Sequence, residues 1–584
     1  MNLLASPRPS RDGRVQGRSP SLQPGAVVME VLVNAGRWLR NVVAECSPGV
    51  DFVHLDIAGR LPEHTTRPQG WRDWLERRLR PRQESLATWR ERLQWLADDP
   101  QVTGVIITIG DLQAGLPALE SLRRSLLTFR TRGKRLIAYL VTANLQTYYL
   151  ASVADTIVAP ESAEIALYGL RTEATFLKAA LDQLGVQPQF HHIAEYKTAA
   201  NRFLYAAMPE TQRQMLTSLL ENTFKEVVET VASTRRQPLE VIRQAVDQGL
   251  LSAADARACQ LLDAVAFADA LPTLLGQDNQ PATIHPWERA SRKIRRPYHW
   301  RSLERQAIAI VPLIGAIVMG ESRDLPLPLP LLGRQLAGHE TITQALRRAE
   351  SSSRVKAIVL HVDSPGGSAI ASDLIWHEVS RIQQRKPVVV FMGNVAASGG
   401  YYVACGARHI VAGATTLTGS IGVIAGKMNL SGLLEKAGIH REILSLGATA
   451  AMPSAFASYS EREWELLRRW MDEIYQRFMV RVAAGRGQSL EAIEDIARGR
   501  VWTGRQALSL GLIDEIGDVE AAVRRAKELA EISRGADIPM IMMRPTKAAP
   551  WPVLPPATWE QALRSLRQLV LEHALLLTLP ESQL

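Results

Sequence analysis

A duplication lies inside this chain of 584 residues. Residues 143–170 align without a gap to residues 396–423, at an offset of 253 positions, and 9 of the 28 aligned residues are identical. Composition alone gives about two identities in a window of this length. Further segments pair at this offset or a nearby one: 102–110 with 355–363, 133–140 with 385–392, and 252–265 with 503–516. The chain is therefore predicted to fold as two similar tandem units.

Each unit alternates two kinds of segment. In the second copy, residues 356–362 (KAIVLHV) and 387–392 (PVVVFM) are continuous apolar runs, which are typical of strands buried on both faces. Residues 372–384 and 460–485 carry apolar residues at helical spacing. This alternation favours parallel strands joined by right-handed crossovers. We expect an α/β fold of two tandem repeats, each a mainly parallel sheet with flanking helices.

Composition places the boundaries between these units. We predict a disordered tail with an amphipathic helix (1–45), the N-terminal repeat (46–285), a basic linker (286–305), the C-terminal repeat (306–540) and a C-terminal tail with a second amphipathic helix (541–584). The formal net charge is +9, and the linker alone holds seven Lys and Arg against two Glu. Basic linkers and tails are commonly just solvated, so we expect no nucleic-acid partner.

Several classes of site are excluded by what the chain lacks. The three cysteines, Cys46, Cys259 and Cys405, lie far apart and form no CxxC pair. That spacing argues against a disulfide scaffold and against a cysteine-based zinc site. The sequence contains no GxxxxGK[ST] phosphate loop and no cluster of metal-ligand residues. We therefore expect no cofactor, no metal and no ATP requirement within this chain.

A serine of the second copy is a candidate nucleophile. Ser398 follows a predicted strand and has small neighbours, in the sequence AASGGYY. It would lie at the carboxyl end of a parallel strand, where open α/β sheets bind their ligands. A simpler interpretation is a helix N-cap. The first copy keeps the two tyrosines but has Leu145 at the serine position. Packing residues are thus present in both copies, and the reactive residue in only one.

Two glycines of the second copy are candidates for binding an oxyanion. Gly366 and Gly367 follow the strand at residues 356–362 and precede a predicted helix, in the sequence DSPGGS. Glycines before a helix leave backbone N–H groups open to a ligand at the positive end of the helix dipole. The same residues also suit an ordinary turn. The first copy has no glycine pair at this position.

The base that a serine nucleophile needs is best supplied by the first copy. Lys197 lies in the sequence AEYKTAA, and its counterpart in the second copy is Ala450. Each copy has therefore kept the residue that the other lacks. A lone lysine is usually a surface group, and no Ser-His-Asp spacing involves His361 or His409. The reciprocal loss favours a Ser/Lys pair, with Lys197 buried, without a carboxylate partner, and about 3 Å from Ser398.

These motifs resemble the long, duplicated form of the signal peptide peptidase A (protease IV) family, in the ClpP/crotonase superfamily. The residues that carry the resemblance are AASGGYY, DSPGG, LTGSIGV, EYKTA and VWTGRQALSLGLIDEIG, and it extends from about residue 50 to 540. It implies an ATP-independent serine endopeptidase that degrades signal peptides or other small peptides through an acyl-enzyme. It implies Ser398 as nucleophile, Lys197 as general base and Gly366 and Gly367 as oxyanion hole. It also implies that Ser420 holds the lysine amine in position.

The resemblance further implies a homo-oligomer, a tetramer, on a membrane. The family usually has a transmembrane anchor at its amino end, whereas no segment here reaches the 18 uncharged apolar residues of a spanning helix. Ala26–Val43 and Trp559–Leu579 are amphipathic instead. Each could lie in a membrane interface or pack on protein. We expect a cytoplasmic protein or one peripheral to the cell membrane.

Two other functions are compatible with parts of the pattern. A crotonase-like acyl-CoA enzyme would use the same glycine oxyanion hole, but it has no use for a serine and a lysine placed in different copies. A non-catalytic membrane-associated scaffold would be expected to lose that pair, and this sequence has both residues.

Overall fold

The computed structural model describes residues 24–45, 49–64, 84–295, 298, 306–329, 333–533, 535–536 and 538–543. The predicted helix Trp559–Leu579 and the first 23 residues lie outside these ranges. Within them the chain forms two α/β units in tandem, as the duplication predicts.

The N-terminal unit is built on a six-stranded sheet in the order β10-β1-β2-β3-β5-β9, in which every pairing is parallel. The strands of this half of the chain are β1 (Phe52–Gly59), β2 (Gly104–Leu112), β3 (Arg135–Tyr139), β4 (Thr142–Asn144), β5 (Thr156–Ala159), β6 (Glu164–Ala166), β7 (Gln187–Ile193), β8 (Leu250–Leu251), β9 (Ala264–Val265) and β10 (Ile284–Pro286). The helices are α1 (Pro24–Glu45), α2 (Leu86–Asp98), α3 (Leu116–Thr131), α4 (Leu145–Ala151), α5 (Lys178–Leu184), α6 (Asn201–Leu204), α7 (Glu210–Arg235), α8 (Leu239–Gln248), α9 (Ala253–Ala258), α10 (Leu271–Leu275) and α11 (Trp287–Lys293).

The C-terminal unit repeats this plan. Its main sheet has the order β20-β18-β16-β15-β11-β22, with β17 beside β16, and its pairings are parallel except between β18 and β20. Its strands are β11 (Ala307–Ile314), β12 (Ala316–Val318), β13 (Arg323–Leu329), β14 (Gly333–Gly338), β15 (Val355–Ser364), β16 (Val388–Ala397), β17 (His409–Ala412), β18 (Leu417–Gly419), β19 (Val423–Asn429), β20 (Val501–Thr503), β21 (Glu515–Ile516) and β22 (Met540–Met542). Its helices are α12 (His339–Ser351), α13 (Ala369–Ile382), α14 (Gly399–Ala404), α15 (Ser431–Lys436), α16 (Glu461–Arg486), α17 (Leu490–Ile496), α18 (Gly504–Ser509) and α19 (Val519–Leu529).

The shared tyrosines explain why packing residues persist in both copies. Tyr148 on α4 is 1% exposed, and its hydroxyl donates to the Leu261 carbonyl at 2.8 Å. Tyr401 on α14 is fully buried, and its hydroxyl donates to the Leu512 carbonyl at the same distance of 2.8 Å. A buried hydroxyl needs an acceptor, so each tyrosine fixes its helix against the later part of its own repeat.

The two units are joined by a shared ladder. β7 of the N-terminal half pairs antiparallel with β19 of the C-terminal half, with Ile193 opposite Val423 and Gln187 opposite Asn429. A second contact comes from α3, where the buried Glu120 carboxylate accepts the N–H groups of Ala414 and Thr415 at 2.7 and 2.9 Å. The N-terminal repeat is thereby held against the strand ends of the C-terminal one.

The predicted linker begins too early in the chain. Part of the basic stretch is helix α11, whose Ala290 is fully buried, and Ile294 just after it is 1% exposed in the N-terminal core. The charged residues of α11 face outward while two apolar residues anchor it. The N-terminal unit therefore extends to about Ile294.

Helix α1 packs against α11 with its polar side inward. Asn34 and Asn41 are 4% and 9% exposed, whereas Leu32, Trp38 and Leu39 are each about 60% exposed. No helix among the described residues combines the length and the apolar character that crossing a membrane requires.

Candidate active site

Ser398 lies in a sharp turn between β16 and α14. Its backbone has φ 53° and ψ −119°, a conformation that costs a non-glycine residue free energy and persists only where neighbours hold it. Its N–H donates to the Gly419 carbonyl at 2.9 Å. The turn places the hydroxyl at the carboxyl end of a central parallel strand and at the start of a helix, as the sequence predicts.

Lys197 reaches this serine from the other repeat. It follows β7 by four residues, so the β7–β19 ladder carries it into the C-terminal unit. Its Nζ lies 2.9 Å from Ser398 Oγ, 2.7 Å from the Ser420 carbonyl oxygen and 3.0 Å from Ser420 Oγ. The lysine is 3% exposed. The expected contact of about 3 Å and the expected burial are both present.

Burial sets the protonation state of this lysine. It lowers the pKa of Lys197 from 10.5 to about 7, because a buried ammonium loses its hydration and no carboxylate offsets the loss. A neutral amine has two N–H donors and one lone pair. In that form the two Ser420 oxygens can accept both donors, which would leave the lone pair to accept the Ser398 O–H.

Residues 498–500 position both Lys197 and Ser420. The Arg498 carbonyl accepts the Tyr196 N–H at 3.1 Å, and the Arg500 carbonyl accepts the Ser420 N–H at 2.7 Å. Between them Gly499 has φ +76°, and a Cβ added there would lie 2.4 Å from the Lys197 backbone nitrogen. A side chain cannot fit at Gly499, so the segment from 498 to 500 lies tightly against the lysine.

The glycine pair comes close to Ser398, but it differs from the expectation in one respect. A Cβ on Gly366 would lie 2.8 Å from Ser398 Cβ, so only glycine allows this approach. The Gly366 N–H, however, donates to Ser364 Oγ at 3.1 Å, and it is therefore not a free donor. Gly366 was wrongly predicted as an oxyanion donor, because its N–H turns inward at φ +107°.

A donor that the sequence analysis missed lies beside the pair. Among the residues that the structure describes, the N–H groups of Gly367 and Gly399 have no protein acceptor. They are neighbours, since a Cβ on Gly399 would lie 3.1 Å from the Gly367 nitrogen. Gly399 is the first residue of α14, and the free N–H groups of a helix start could have identified it.

The other residues that the sequence analysis considered lie away from Ser398. Leu145 starts α4 and is 4% exposed, at the place in the N-terminal repeat that Ser398 has in the C-terminal one. His361 is buried and stacked on Phe391, with ring centroids 5.1 Å apart, and burial lowers its pKa to about 3. His409 lies 3.3 Å from Glu515. Neither histidine contacts Ser398 in the described part of the chain.

Comparison with known proteins identifies a peptidase family. Peptidase family S49 matches the chain twice, over residues 128–280 and 380–533, and the Clp protease family matches residues 334–418. The chain is 32% identical to the chloroplastic serine protease SPPA of Arabidopsis thaliana over 477 residues, which are 80% of this chain and 69% of that one.

Two bacterial proteins named protease 4 are similarly related. The Haemophilus influenzae protein is 31% identical over 494 residues, covering 81% of this chain and 78% of that one. The Salmonella typhi protein is 32% identical over 448 residues, covering 75% and 71%. With both repeats matched and most of each relative covered, the chain belongs to peptidase family S49 and is a serine-type peptidase of the signal peptide peptidase A (protease 4) group.

Proposed function

We propose that this peptidase is an endopeptidase with a Ser398/Lys197 dyad. The observation that carries the proposal is the 2.9 Å contact between Lys197 Nζ and Ser398 Oγ at a lysine that is 3% exposed. A lysine serves as a base only when it is neutral, and burial with a pKa of about 7 supplies that form near neutral pH. Ser420 holds the amine so that its lone pair faces the serine.

The reaction would proceed in two stages. Ser398 Oγ attacks the peptide carbonyl carbon as its proton passes to Lys197 Nζ, and the amine leaves with that proton when the C–N bond breaks. Water then attacks the acyl-enzyme, gives a proton to Nζ, and releases the acid as the proton returns to Oγ. No ATP enters either stage.

The oxyanion of each tetrahedral intermediate would be held by backbone donors. Within the described part of the chain, the Gly367 and Gly399 N–H groups are unpaired and lie beside Ser398. Donors fixed before the reaction stabilise charge as it develops without reorganising. We therefore propose Gly367 and Gly399 as the oxyanion hole, in place of the predicted pair Gly366 and Gly367.

For the substrate we propose signal peptides or other small peptides. The support is similarity: a relative from Enterococcus faecium, 37% identical over 199 residues, is named a putative signal peptide peptidase SppA. The exposed apolar side of α1 suits peripheral contact with a membrane surface.

A serine-directed fluorophosphonate tests the dyad. We expect one label per chain, located on Ser398 by mass spectrometry, with loss of peptide hydrolysis in proportion to labelling. Ser398→Ala should abolish labelling, whereas the exposed control Ser351→Ala should label like the parent chain. Labelling at another serine, or hydrolysis that survives full labelling, would refute the assignment. Turnover of an acyl-CoA thioester without peptide hydrolysis would favour a crotonase-like enzyme instead.

A further inference from the structure

Strand β16 contains a bulge shortly before Ser398. It pairs residue by residue with β15 up to Met392, and the pairing resumes at Ala396. The three residues between them, 393–395, therefore lie opposite Asp363 alone. A bulge bends its strand and changes the direction of the side chains that follow, and bulges are common next to active sites. The direction in which the strand delivers Ser398 thus depends on the shape of this bulge.

The side chain of Asp363 holds the bulge. One carboxylate oxygen accepts the Val395 N–H at 3.1 Å, and the other accepts an N–H of Asn394 Nδ2 at 3.1 Å. A Cβ added at Gly393 would lie 2.8 Å from Asp363 Cγ, so the backbone there passes directly beside the carboxylate. The carboxylate therefore lies against all three residues of the bulge and uses both of its oxygens to hold them.

The first copy has neither the bulge nor the carboxylate. The alignment of the two copies has an offset of 252 before the bulge and of 253 after it, so the second copy has one extra residue there. The position of Asp363 is Gly110 in the first copy. The strand is also interrupted in that copy, because β3 lies in the main sheet and β4 in a separate one. The bulge and its carboxylate thus occur in the copy that has the serine, as expected of residues that serve it.

The bulge also contacts the N-terminal repeat. A Cβ added at Gly115 would overlap Asn394 Oδ1. Gly115 is the N-cap of α3, and the start of a helix carries a partial positive charge that suits an amide oxygen. Within the described ranges this buried oxygen accepts no hydrogen bond. Asn394 therefore connects Asp363, through its amide nitrogen, to the first turn of α3, through its amide oxygen.

We propose that Asp363 is a positioning residue for peptide hydrolysis and acts through the bulge to orient Ser398. The inference rests on the proposed function, because it takes Ser398 as the nucleophile. The connection is short: residues 395–397 pair with β18, and the Ser398 N–H donates to the carbonyl of Gly419 at the end of that strand. The backbone conformation of Ser398 persists only where neighbours hold it. A shift of the bulge therefore moves the serine hydroxyl relative to its proposed base and oxyanion donors.

Substitution of Asp363 tests this role. Asp363→Ala removes both acceptors, and we expect kcat to fall by about 10- to 100-fold with KM within about threefold of the parent value, because a displacement of about 1 Å slows reaction more than binding. Asp363→Asn should keep kcat within about threefold of the parent, since its amide oxygen accepts the Val395 N–H and a rotated Asn394 amide can accept from its nitrogen. The exposed control Asp247→Ala should behave like the parent.

Labelling kinetics separate positioning from folding. With a serine-directed fluorophosphonate, Asp363→Ala should still reach one label per chain, at a rate reduced by a factor similar to that for kcat. Labelling that stops well short of one per chain would show that the carboxylate serves folding instead, and would overturn the proposal. Ser398→Ala, measured in parallel, separates this inference from the proposed function. If Ser398→Ala hydrolyses peptides, the dyad is wrong and the inference falls with it, whereas an inactive Ser398→Ala beside a fully active Asp363→Ala overturns the positioning role alone.

A second test reaches the bulge from the N-terminal repeat and leaves Asp363 in place. Gly115 has φ −68° and ψ 155°, which alanine adopts without strain, so Gly115→Ala adds only a methyl group against Asn394 Oδ1. We expect it to lower kcat by about tenfold in the parent, and by less than about twofold in an Asn394→Ala background, where that oxygen is absent. Equal losses in the two backgrounds, or an Asp363→Asn variant as slow as Asp363→Ala, would overturn the proposal.

Discussion

Replacing Lys197 with methionine will lower kcat/KM for peptide hydrolysis by about 10³- to 10⁴-fold, because the general base is lost. Methionine fills a similar volume, so the fold should persist. Lys197→Arg should be comparably inactive, since a guanidinium stays charged and cannot accept the Ser398 proton. The exposed control Lys225→Met should leave kcat/KM unchanged. Substantial activity in folded Lys197→Met would refute the dyad.

The same variant should become more stable relative to the parent at low pH. The folded-state pKa of Lys197, about 7, lies below its ordinary value of 10.5. Between these values the unfolded chain binds the extra proton, so the stability of the parent rises with pH across this window. Below pH 7 the parent chain carries the full loss of stability that comes from burying this lysine, at most about 5 kcal/mol. The free energy of unfolding of Lys197→Met should therefore exceed that of the parent most at pH 6, and the difference should vanish above about pH 10.5. Urea denaturation of both proteins at several pH values measures this difference.

Removing the Gly399 N–H will lower kcat/KM by about 100- to 1000-fold, the usual effect of losing one oxyanion donor. Proline at Gly366 or Gly367 would not test this, because φ +107° and +152° are closed to proline. Gly399 instead begins a helix, where proline is favoured. A Cβ there would lie 2.4 Å from Ser372 Oγ, so the variant should be made in a Ser372→Ala background.

The matched control in that background is Gly399→Ala, which adds the Cβ but keeps the N–H. We expect the proline variant to be slower than the alanine variant by the stated factor, with similar melting temperatures and a similar rate of Ser398 labelling by an uncharged alkylating reagent. Equal kcat/KM for the two variants would remove Gly399 from the oxyanion hole.

The sequence predicted the fold well because the duplication provides an internal comparison. Positions that pack, such as Tyr148 and Tyr401, are present in both copies, and each position that we propose to react is present in only one. Ser398 was identified because its counterpart in the first copy is Leu145, and Lys197 because its counterpart in the second copy is Ala450. A serine and a lysine from different copies can meet only if the two repeats lie in contact. The β7–β19 ladder is the form that this contact takes.

What the sequence did not predict depends on backbone direction. The positive φ of Ser398 and Ser420, 53° and 54°, results from turns that neighbouring segments enforce. The direction of the Gly366 N–H and the role of the Ser420 carbonyl follow from those turns. The linker boundary was misplaced for a different reason, because the many charges of α11 hid the two buried apolar residues, Ala290 and Ile294, that anchor this segment.

The pH dependence of kcat/KM for a peptide without ionisable groups tests the central claim most directly, since it reports ionisations of the free enzyme. If neutral Lys197 activates Ser398, kcat/KM rises about tenfold per pH unit on the acid side and reaches a plateau. A single ionisation near pH 7 should describe the curve, as the burial of Lys197 requires. A profile that is flat between pH 6 and 9, or that rises only near the ordinary lysine pKa of about 10.4, would contradict the account.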